Sequence, residues 1–303
     1  MSKSTHTAKA WFQAIRLRTL FLSFSCVFAG TLIGDLSHQF NATVFLFTLL
    51  TALFLQVLSN LANDYGDSIH GADNVQRKGP SRAVQSGQIT ATQMKKALFF
   101  VAVLSFFSGI TLLLSSYPII GLTATLVLLG MGILAIAAAI YYTNGKRPYG
   151  YRGLGDLSVF IFFGGLGVLG TAYLQTGMLS LSSVWLAVCF GFLAVGVLNI
   201  NNMRDIEADQ LAAKYSIPVR IGLPMAKRYH YILILVALNS CIYFVQTSGI
   251  SAYFIILPFM ALLYHLWRIS RCNLPEAFDP LLKQLSLSTF LLALALYAGF
   301  YCL

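Results

Sequence analysis

Long uncharged, apolar runs alternate with short charged segments along this chain. A transmembrane helix needs about 20 residues to cross the hydrocarbon core of a bilayer. The three longest uncharged runs therefore each predict two spans joined by a short turn, and the two shorter runs predict one span each. A further apolar stretch over 19–34 brings the predicted total to nine. The uncharged runs are 36–63, 97–145, 157–203, 229–267 and 284–303.

Nine transmembrane helices make the predicted fold class all-α, in a polytopic membrane protein. A closed β-barrel is excluded because barrel strands alternate apolar and polar residues with period two, and these segments do not. The spans are placed near 15–35, 41–63, 94–115, 118–142, 156–175, 181–202, 228–247, 250–269 and 283–303.

Composition supports a membrane location, and charge predicts an orientation. Of 303 residues, 57% are hydrophobic and only 10% are charged, whereas a soluble domain carries about a quarter charged residues. All 20 Lys and Arg residues fall on alternate connections. Basic residues accumulate in cytoplasmic loops, so the N-terminus is expected in the cytoplasm and the C-terminus outside. This topology accounts for most of the net charge of +10, and no recognition motif supports nucleic acid as a partner.

Scarce negative charge is concentrated in two clusters, each following the end of an even-numbered predicted span. In each cluster an asparagine stands four residues before an aspartate, and a second carboxylate follows on the same helix face. Like charges so placed repel each other, so something positive should offset them. The first cluster, in NLANDYGDSIHGAD, holds Asn60, Asn63, Asp64, Asp67 and Asp73; the second, in NINNMRDIEAD, holds Asn201, Asp205, Glu207 and Asp209.

Magnesium is the natural counter-charge, because it binds oxygen ligands and usually uses one or two carboxylates together with substrate phosphates. Two clusters predict two ions that clamp one diphosphate. The alternative, a pair of solvated acidic loops, is weakened by the matched asparagines in a chain this poor in acidic residues. Nearby basic residues are either topology determinants or phosphate ligands. They are Arg77, Lys78, Arg82, Lys146, Arg147, Arg152, Lys214 and Arg220.

Two other classes of membrane protein compete with an enzyme that acts on a lipid diphosphate. An ion-coupled transporter would place its ionisable groups near the bilayer midplane on broken helices, whereas almost all of them lie here at the predicted cytoplasmic end. The CDP-alcohol phosphotransferases also use membrane aspartates, but their pattern does not follow Asp64. The enzyme hypothesis is therefore preferred.

Four segments together resemble the UbiA superfamily of intramembrane prenyltransferases, most closely its 1,4-dihydroxy-2-naphthoate polyprenyltransferase branch, over nearly the whole chain. They are NLANDYGDSIHGAD, GPSRAVQSGQIT, YYTNGKRPYGYRGLGD and NINNMRDIEADQLAAKYSIPVRIG. The resemblance implies a single domain over 1–303 with nine helices around a central cavity. It also implies that the cytoplasmic loops 64–96, 143–155 and 203–227 cap the active site.

The resemblance further implies roles for individual residues. Tyr142 and Lys146 match the superfamily's YxxxK, and Asp156 ends the GLGD segment. Many members have a carboxylate where this chain has Gly71, and Asp73 is the nearest substitute. Magnesium is expected at Asp64, Asp67, Asp205 and Asp209, with Asn60 and Asn201 as supporting ligands.

The implied activity is transfer of a polyprenyl group from polyprenyl diphosphate to 1,4-dihydroxy-2-naphthoate with loss of CO₂ and diphosphate. The product would be demethylmenaquinol, made for menaquinone biosynthesis in the bacterial cytoplasmic membrane. Magnesium and basic residues would stabilise the departing diphosphate, and the electron-rich ring would attack the resulting allylic cation. The alternative acceptor is another aromatic acid, such as 4-hydroxybenzoate.

Overall fold

The computed structural model describes residues 3–71, 78–79 and 82–302, and only the backbone of residues 3–7. Within these residues every regular element is helical, which confirms the all-α fold class. Eight of the described helices are long and apolar enough to cross a membrane. Two candidate site residues, Asp73 and Arg77, lie outside the described residues.

The helices follow one another with short connections. Helices α1 to α4 are Lys3–Ile15, Leu17–Leu36, Ala42–His70 and Ala91–Tyr141. Helix α5, Gly155–Val159, continues through a π-helix, Phe160–Gly170, into α6, Thr171–Thr176. Helices α7 to α11 are Leu181–Arg204, Ile206–Leu211, Ile217–Ser248, Ile256–Arg271 and Phe278–Tyr301. Short 3₁₀ helices are Tyr149–Arg152, Ala252–Ile255 and Pro275–Ala277.

Helix α3 is longer than the sequence predicted. The prediction ended the second span at 63 and began a loop at 64, because the first charged residue was taken as the membrane boundary. The helix instead continues to His70. Asp64 and Asp67 are only 1% and 4% exposed, and polar groups from other segments offset their charge, so the helix needs no break there. These two carboxylates therefore lie on a helix and not on a loop.

Helix α4 contains a break near its middle. Its 51 residues would extend about 75 Å at 1.5 Å per residue, more than twice the thickness of a hydrocarbon core. At Gly121 the backbone is not helical, with φ of 72° and ψ of 176°, and Pro118 precedes it. Only glycine adopts this backbone conformation without strain. The break divides α4 into two apolar stretches.

Helix α7 is the centre of the bundle. Leu186, Phe190, Leu193 and Ile200 are fully buried on it, and the helix packs against α2, α9, α11 and the π-helix. Helices α3 and α4 pack mainly against each other and leave broad apolar faces exposed, for example at Phe99 on α4. Such faces, on helices of this length, suit contact with lipid.

A cavity of about 370 Å³, here called the inner cavity, lies between the central helices and the α3–α4 pair. Most of its wall is apolar and comes from α2, α3, α4, the π-helix and α7. At one end, here called the charged end, it is lined by Asp67, Asp205 and Asp209. The π-helix contributes Phe162, Phe163 and other residues to the wall, which fits the frequent use of π-helical turns at functional sites.

Candidate active site

The first acidic cluster is held by groups from two distant segments. Asp67 accepts a hydrogen bond from Arg82 Nη2 at 3.0 Å and another from the Tyr151 hydroxyl at 2.9 Å. Asp64 accepts from the backbone N–H of Ala83 at 3.2 Å. Arg82 is itself buried, so its ion pair with Asp67 is screened little by water. The segment that begins at Arg82 thus closes over the end of α3.

The second acidic cluster lies where α7 ends and α8 begins. Arg204 donates to both oxygens of Asp205, from Nε at 2.9 Å and from Nη2 at 2.6 Å. Its Nη2 also donates to Asn201 Oδ1 at 2.8 Å. Lys214 Nζ donates to Asp209 Oδ1 at 3.1 Å. Asp205 and Asp209 therefore each pair with a cation that is close to them in sequence.

Lys214 brings the two clusters together. Its Nζ pairs with Asp209 and lies 5.8 Å from the centroid of the Tyr151 ring, whose hydroxyl contacts Asp67. Burial alone would lower the pKa of Lys214, but Asp209 and Asp67 raise it overall. Burial raises the pKa of Asp209 to about 6, although Lys214 opposes that shift. The ion pair with Lys214 therefore offsets only part of the cost of burying the Asp209 carboxylate.

Most of the candidate residues from both clusters lie together at the charged end. Two predicted phosphate ligands, Arg82 and Lys214, also line the inner cavity at this end, and both are buried. The predicted residues that line the inner cavity are Asn60, Asn63, Asp67, Arg82, Tyr142, Asn201, Asp205, Asp209 and Lys214.

Three other candidates do not line the inner cavity. Asp64 is buried behind the cavity wall, next to the backbone of Ala83. Asp156 accepts a hydrogen bond from the Tyr229 hydroxyl at 2.9 Å, which ties the start of α5 to α9. Lys78 pairs with Glu276 at 3.3 Å, and both side chains are largely exposed. Asp156 and Lys78 therefore have partners that are not part of the inner cavity.

Four predicted phosphate ligands line a second cavity of about 430 Å³, here called the outer cavity. It lies on the surface at the charged end, beside the 3₁₀ helix Tyr149–Arg152. The four residues are Lys146, Arg147, Arg152 and Arg220. The structure thus divides six of the eight predicted basic residues into an inner pair and an outer group of four.

The two matched asparagines have protein partners. Asn60 donates from Nδ2 to the carbonyl of Ile15 at 2.7 Å and to Thr19 Oγ1 at 2.9 Å, and its Oδ1 accepts from Gln56 at 3.2 Å. Asn60 therefore fixes α3 to the junction of α1 and α2. Asn201 accepts from Arg204, so both amides position neighbouring groups of the site.

Sequence reasoning missed three residues of the site. Arg204 stands inside the NNMRD segment, directly before Asp205, and its position was the available signal. Arg16 lines the inner cavity with a left-handed backbone, φ of 55°, but it was counted among the topology charges. Tyr151, in the YRGLGD segment, contacts Asp67 across 84 positions of sequence. No local pattern signals that contact.

The carboxylates fit a hard divalent cation. Asp64 Oδ1 and Asp209 Oδ2 are buried and accept no hydrogen bond from the described residues. Carboxylate oxygens are the ligands that magnesium prefers, and unpaired buried charge is costly. No group of three or more His, Cys, Asp or Glu side chains within the described part of the chain is close enough to form a complete metal site by itself. Water or substrate oxygens would complete the coordination.

Long apolar helices surround a cavity that is apolar along most of its wall and has carboxylates and cations at one end. This arrangement is that of an intramembrane protein with a charged site. The UbiA prenyltransferase family model matches residues 23–290. The chain therefore belongs to the UbiA prenyltransferase family.

Curated relatives are similar over most of the chain. A 1,4-dihydroxy-2-naphthoate octaprenyltransferase of Haemophilus influenzae is 41% identical over 295 residues, covering 96% of this chain and 95% of its own. A protein of the same name from Escherichia coli is 44% identical over 75% of this chain and 73% of its own.

Solved structures share the fold at low sequence identity. A UbiA homologue from Aeropyrum pernix has a TM-score of 0.68 and 18% identity, covering 95% of this chain and 98% of its own. A UbiA homologue from Archaeoglobus fulgidus bound to GPP and Mg²⁺ has a TM-score of 0.66 and 15% identity, with coverage of 96% and 99%.

Proposed function

We propose that this protein transfers a polyprenyl group from polyprenyl diphosphate to 1,4-dihydroxy-2-naphthoate, with loss of CO₂ and diphosphate, forming demethylmenaquinol in menaquinone biosynthesis. The observation that carries the proposal is the inner cavity, which is charged at one end and apolar along the rest of its wall. Polyprenyl diphosphate has the same division into an anionic head and an apolar tail. The names of the curated relatives support the naphthoate as acceptor.

Two magnesium ions are proposed to bind at the charged end, held by Asp64, Asp67, Asp205 and Asp209. The unpartnered oxygens of Asp64 and Asp209 support this assignment, as does the structural neighbour with GPP and Mg²⁺. When bound, magnesium supplies positive charge that offsets the charge on the leaving diphosphate.

The cations of the inner cavity are proposed to bind the diphosphate. Arg82 and Lys214 pair with Asp67 and Asp209. Each can turn from its carboxylate to a phosphate oxygen when the carboxylates carry metal. Because both side chains are buried, the charge they offer to phosphate is poorly screened and strongly stabilising. These residues thereby favour cleavage of the allylic C–O bond.

The cavity wall protects the allylic cation from water. Tyr142 and Tyr149 line the inner cavity, with ring centroids 5.3 Å apart and ring planes at 84°. Aromatic faces attract positive charge, so these two rings are proposed to stabilise the cation. The apolar wall beyond them holds the isoprenoid tail and excludes water.

Loss of CO₂ removes the need for a strong base. The ring carbon that bears the carboxylate forms the new bond to the allylic carbon. The bond to the carboxylate carbon then breaks, and its electron pair restores the aromatic ring as CO₂ leaves. No proton has to be removed from that carbon. This agrees with the described lining of the inner cavity, which contains no histidine.

The full topology also belongs to the proposal. If the two stretches of α4 on either side of Gly121 each cross the membrane, the eight candidate helices make nine spans. The N-terminus would then be cytoplasmic and the C-terminus outside, with the loops around the charged end capping the site. Single cysteines at Ala212 and Asn273 should react with an impermeant reagent only from the cytoplasm, and one at Ser248 only from outside. The reverse pattern would overturn this orientation.

Carbon balance tests the reaction. Purified protein, magnesium, a polyprenyl diphosphate and carboxyl-labelled naphthoate should release labelled CO₂ and diphosphate in equal amounts. Label retained in a prenylated product would contradict the proposed chemistry. Turnover with 4-hydroxybenzoate alone, which would keep its carboxylate, would assign the protein to the alternative acceptor.

A further inference from the structure

The outer cavity is strongly basic. Besides Lys146, Arg147, Arg152 and Arg220, its wall includes His70 and Tyr151. Among the described residues that line it, none is Asp or Glu. Several cations around one concave surface create a positive potential that attracts polyvalent anions.

The outer cations differ from the inner ones in their partners. Arg82 and Lys214 each form a buried ion pair with an aspartate. None of the four outer cations forms an ion pair with a described residue, and all four are exposed. Their charge is therefore available to a ligand from solution, and Arg can offer two parallel donors to a phosphate.

The outer cavity has a fixed framework. Arg220 Nη2 donates to the carbonyl of Arg152 at 2.6 Å, and its Nε donates to the carbonyl of Tyr215 at 3.0 Å. The N–H of Tyr215 in turn donates to the carbonyl of Tyr151 at 2.9 Å. These bonds hold the 3₁₀ helix Tyr149–Arg152 against the start of α9. Two segments that are distant in sequence thus place their cations around one cavity.

Tyr151 forms the wall between the outer and the inner cavity. Its ring lines the outer cavity, while its hydroxyl donates to Asp67, which lines the inner one. The Lys214 ammonium lies over the same ring, with 5.8 Å between Nζ and the ring centroid. A ligand at the outer cations would therefore be one aromatic ring away from the carboxylates.

We propose that the outer cavity is a second binding site, for free diphosphate, on the path by which the leaving group passes from the carboxylates to the cytoplasm. The inference rests on the proposed function. Free diphosphate fits better than a lipid-linked one, because the outer cavity has no long apolar wall to hold a tail, whereas the inner cavity has one. Lys146, Arg147, Arg152 and Arg220 then act on the product and not on the reacting bond.

Binding without metal separates the two sites. The inner carboxylates need magnesium to hold a diphosphate, but the outer cations do not. Labelled inorganic diphosphate should therefore bind the full-length, detergent-purified protein in excess chelator. The double variant Lys146→Gln/Arg147→Gln should weaken this binding at least about tenfold, because two charge-assisted contacts are lost.

A matched control removes the same charge elsewhere. Lys227→Gln/Arg228→Gln loses two cations from the surface of α9, where Lys227 contacts Asn273 and Arg228 contacts Met225. This variant should bind diphosphate as wild type does. Equal loss in both double variants would show non-specific attraction by net charge, and no loss in the Lys146/Arg147 variant would place the ligand elsewhere. Either result overturns the proposal.

Competition identifies the source of the diphosphate. Geranyl diphosphate should compete with the labelled diphosphate with an affinity no higher than that of unlabelled inorganic diphosphate. A much higher affinity for geranyl diphosphate would assign the site to the lipid-linked substrate instead. Binding of diphosphate is measured without turnover. A failure of prenyl transfer would therefore contradict the proposed function but not the proposed outer site. Normal prenyl transfer together with no binding of diphosphate in excess chelator would contradict only the outer site.

Discussion

In the first acidic cluster Asp67 has partners from far along the chain, whereas in the second cluster Arg204 and Lys214 are close in sequence to the aspartates with which they pair. Arg82 and Tyr151 are 15 and 84 positions from Asp67. Arg204 is adjacent to Asp205, and Lys214 is five positions from Asp209. The same asparagine-to-aspartate spacing therefore serves two sites that are assembled in different ways.

The difference shows which parts of the site depend on docking. In the second cluster, Arg204 and Lys214 can pair with Asp205 and Asp209 as soon as α7, α8 and the following turn form. In the first cluster, Arg82 and Tyr151 reach Asp67 only when the segment from Arg82 and the 3₁₀ helix Tyr149–Arg152 pack onto α3. We expect changes that loosen this docking to act on the first cluster and to spare the second.

The largest expected effect comes from removing one aspartate of either cluster. Asp64→Asn and Asp205→Asn should each lower kcat at least about a thousandfold, because each removes a charge that holds metal at the reacting diphosphate. Turnover of purified protein with magnesium and both substrates measures this. Asp35→Asn, on α2 outside the inner cavity, is the control and should stay within about twofold. Near-normal activity in one cluster variant would show that the clusters are not equivalent.

Lys214 should matter more than Arg82, since it raises the positive potential at both clusters. Lys214→Gln should reduce kcat about a hundredfold, and Arg82→Gln should reduce it less, because Lys214 pairs with Asp209 and its charge also acts on Asp67. Lys227→Gln, on the surface of α9, is the control for loss of one positive charge. A larger loss for Arg82→Gln would mean that the first cluster alone binds the diphosphate.

Tyr151→Phe tests the long-range contact of the first cluster by itself. The variant keeps the ring but loses the hydrogen bond to Asp67. Hydrogen bonds to charged groups contribute about 1.5–3 kcal/mol, so kcat should fall about tenfold with little change in Tm. Tyr215→Phe, whose parent side chain is exposed, serves as control. A drop in Tm without a change in kcat would make the contact structural only.

The smallest effect is expected for Gly66→Ala, which alters docking without removing a site group. A Cβ at Gly66 would lie 2.5 Å from Thr143 Oγ1 and 2.6 Å from the Thr143 carbonyl oxygen. The turn after α4 must then move away from α3. We therefore expect Tm to fall by several degrees and kcat to decrease about threefold. At Gly130 a Cβ meets nothing within 4 Å, so Gly130→Ala is the control. Equal behaviour of both variants would show that this close approach is not needed.

The sequence located nearly every carboxylate of the site but not its surroundings. Acidic residues are rare in this apolar chain, and the sequence alone shows where they cluster. This identified Asp67, Asp205 and Asp209. Arg16 and Tyr151 were missed because their roles arise only when α1, α3 and the 3₁₀ helix Tyr149–Arg152 meet. Arg204 could have been found, since it stands inside the motif itself.

The predicted basic residues show the same limit. Lys146 and Lys214 carry the same charge and lie in similar loop sequences, yet one faces the outer cavity and the other is buried between Asp209 and Asp67. Burial depends on which segments pack around a side chain, and the sequence of a loop does not state this. The end of α3 was misjudged for the same reason, because a charged residue marks a boundary only when it has no buried partner.

The sequence by itself determined that the chain is an all-α membrane protein, and it determined where the charge for chemistry is concentrated. Both follow from the lengths of apolar runs and the spacing of charges, which are local properties of the sequence. The length of an apolar run can be compared directly with the fixed thickness of the bilayer core. Only the tertiary structure decided which aspartates face the inner cavity, which cation pairs with each of them, and which cations stay outside behind Tyr151. Those outcomes depend on contacts between segments that are far apart in sequence, where desolvation and ion pairing act on groups that no local pattern brings together.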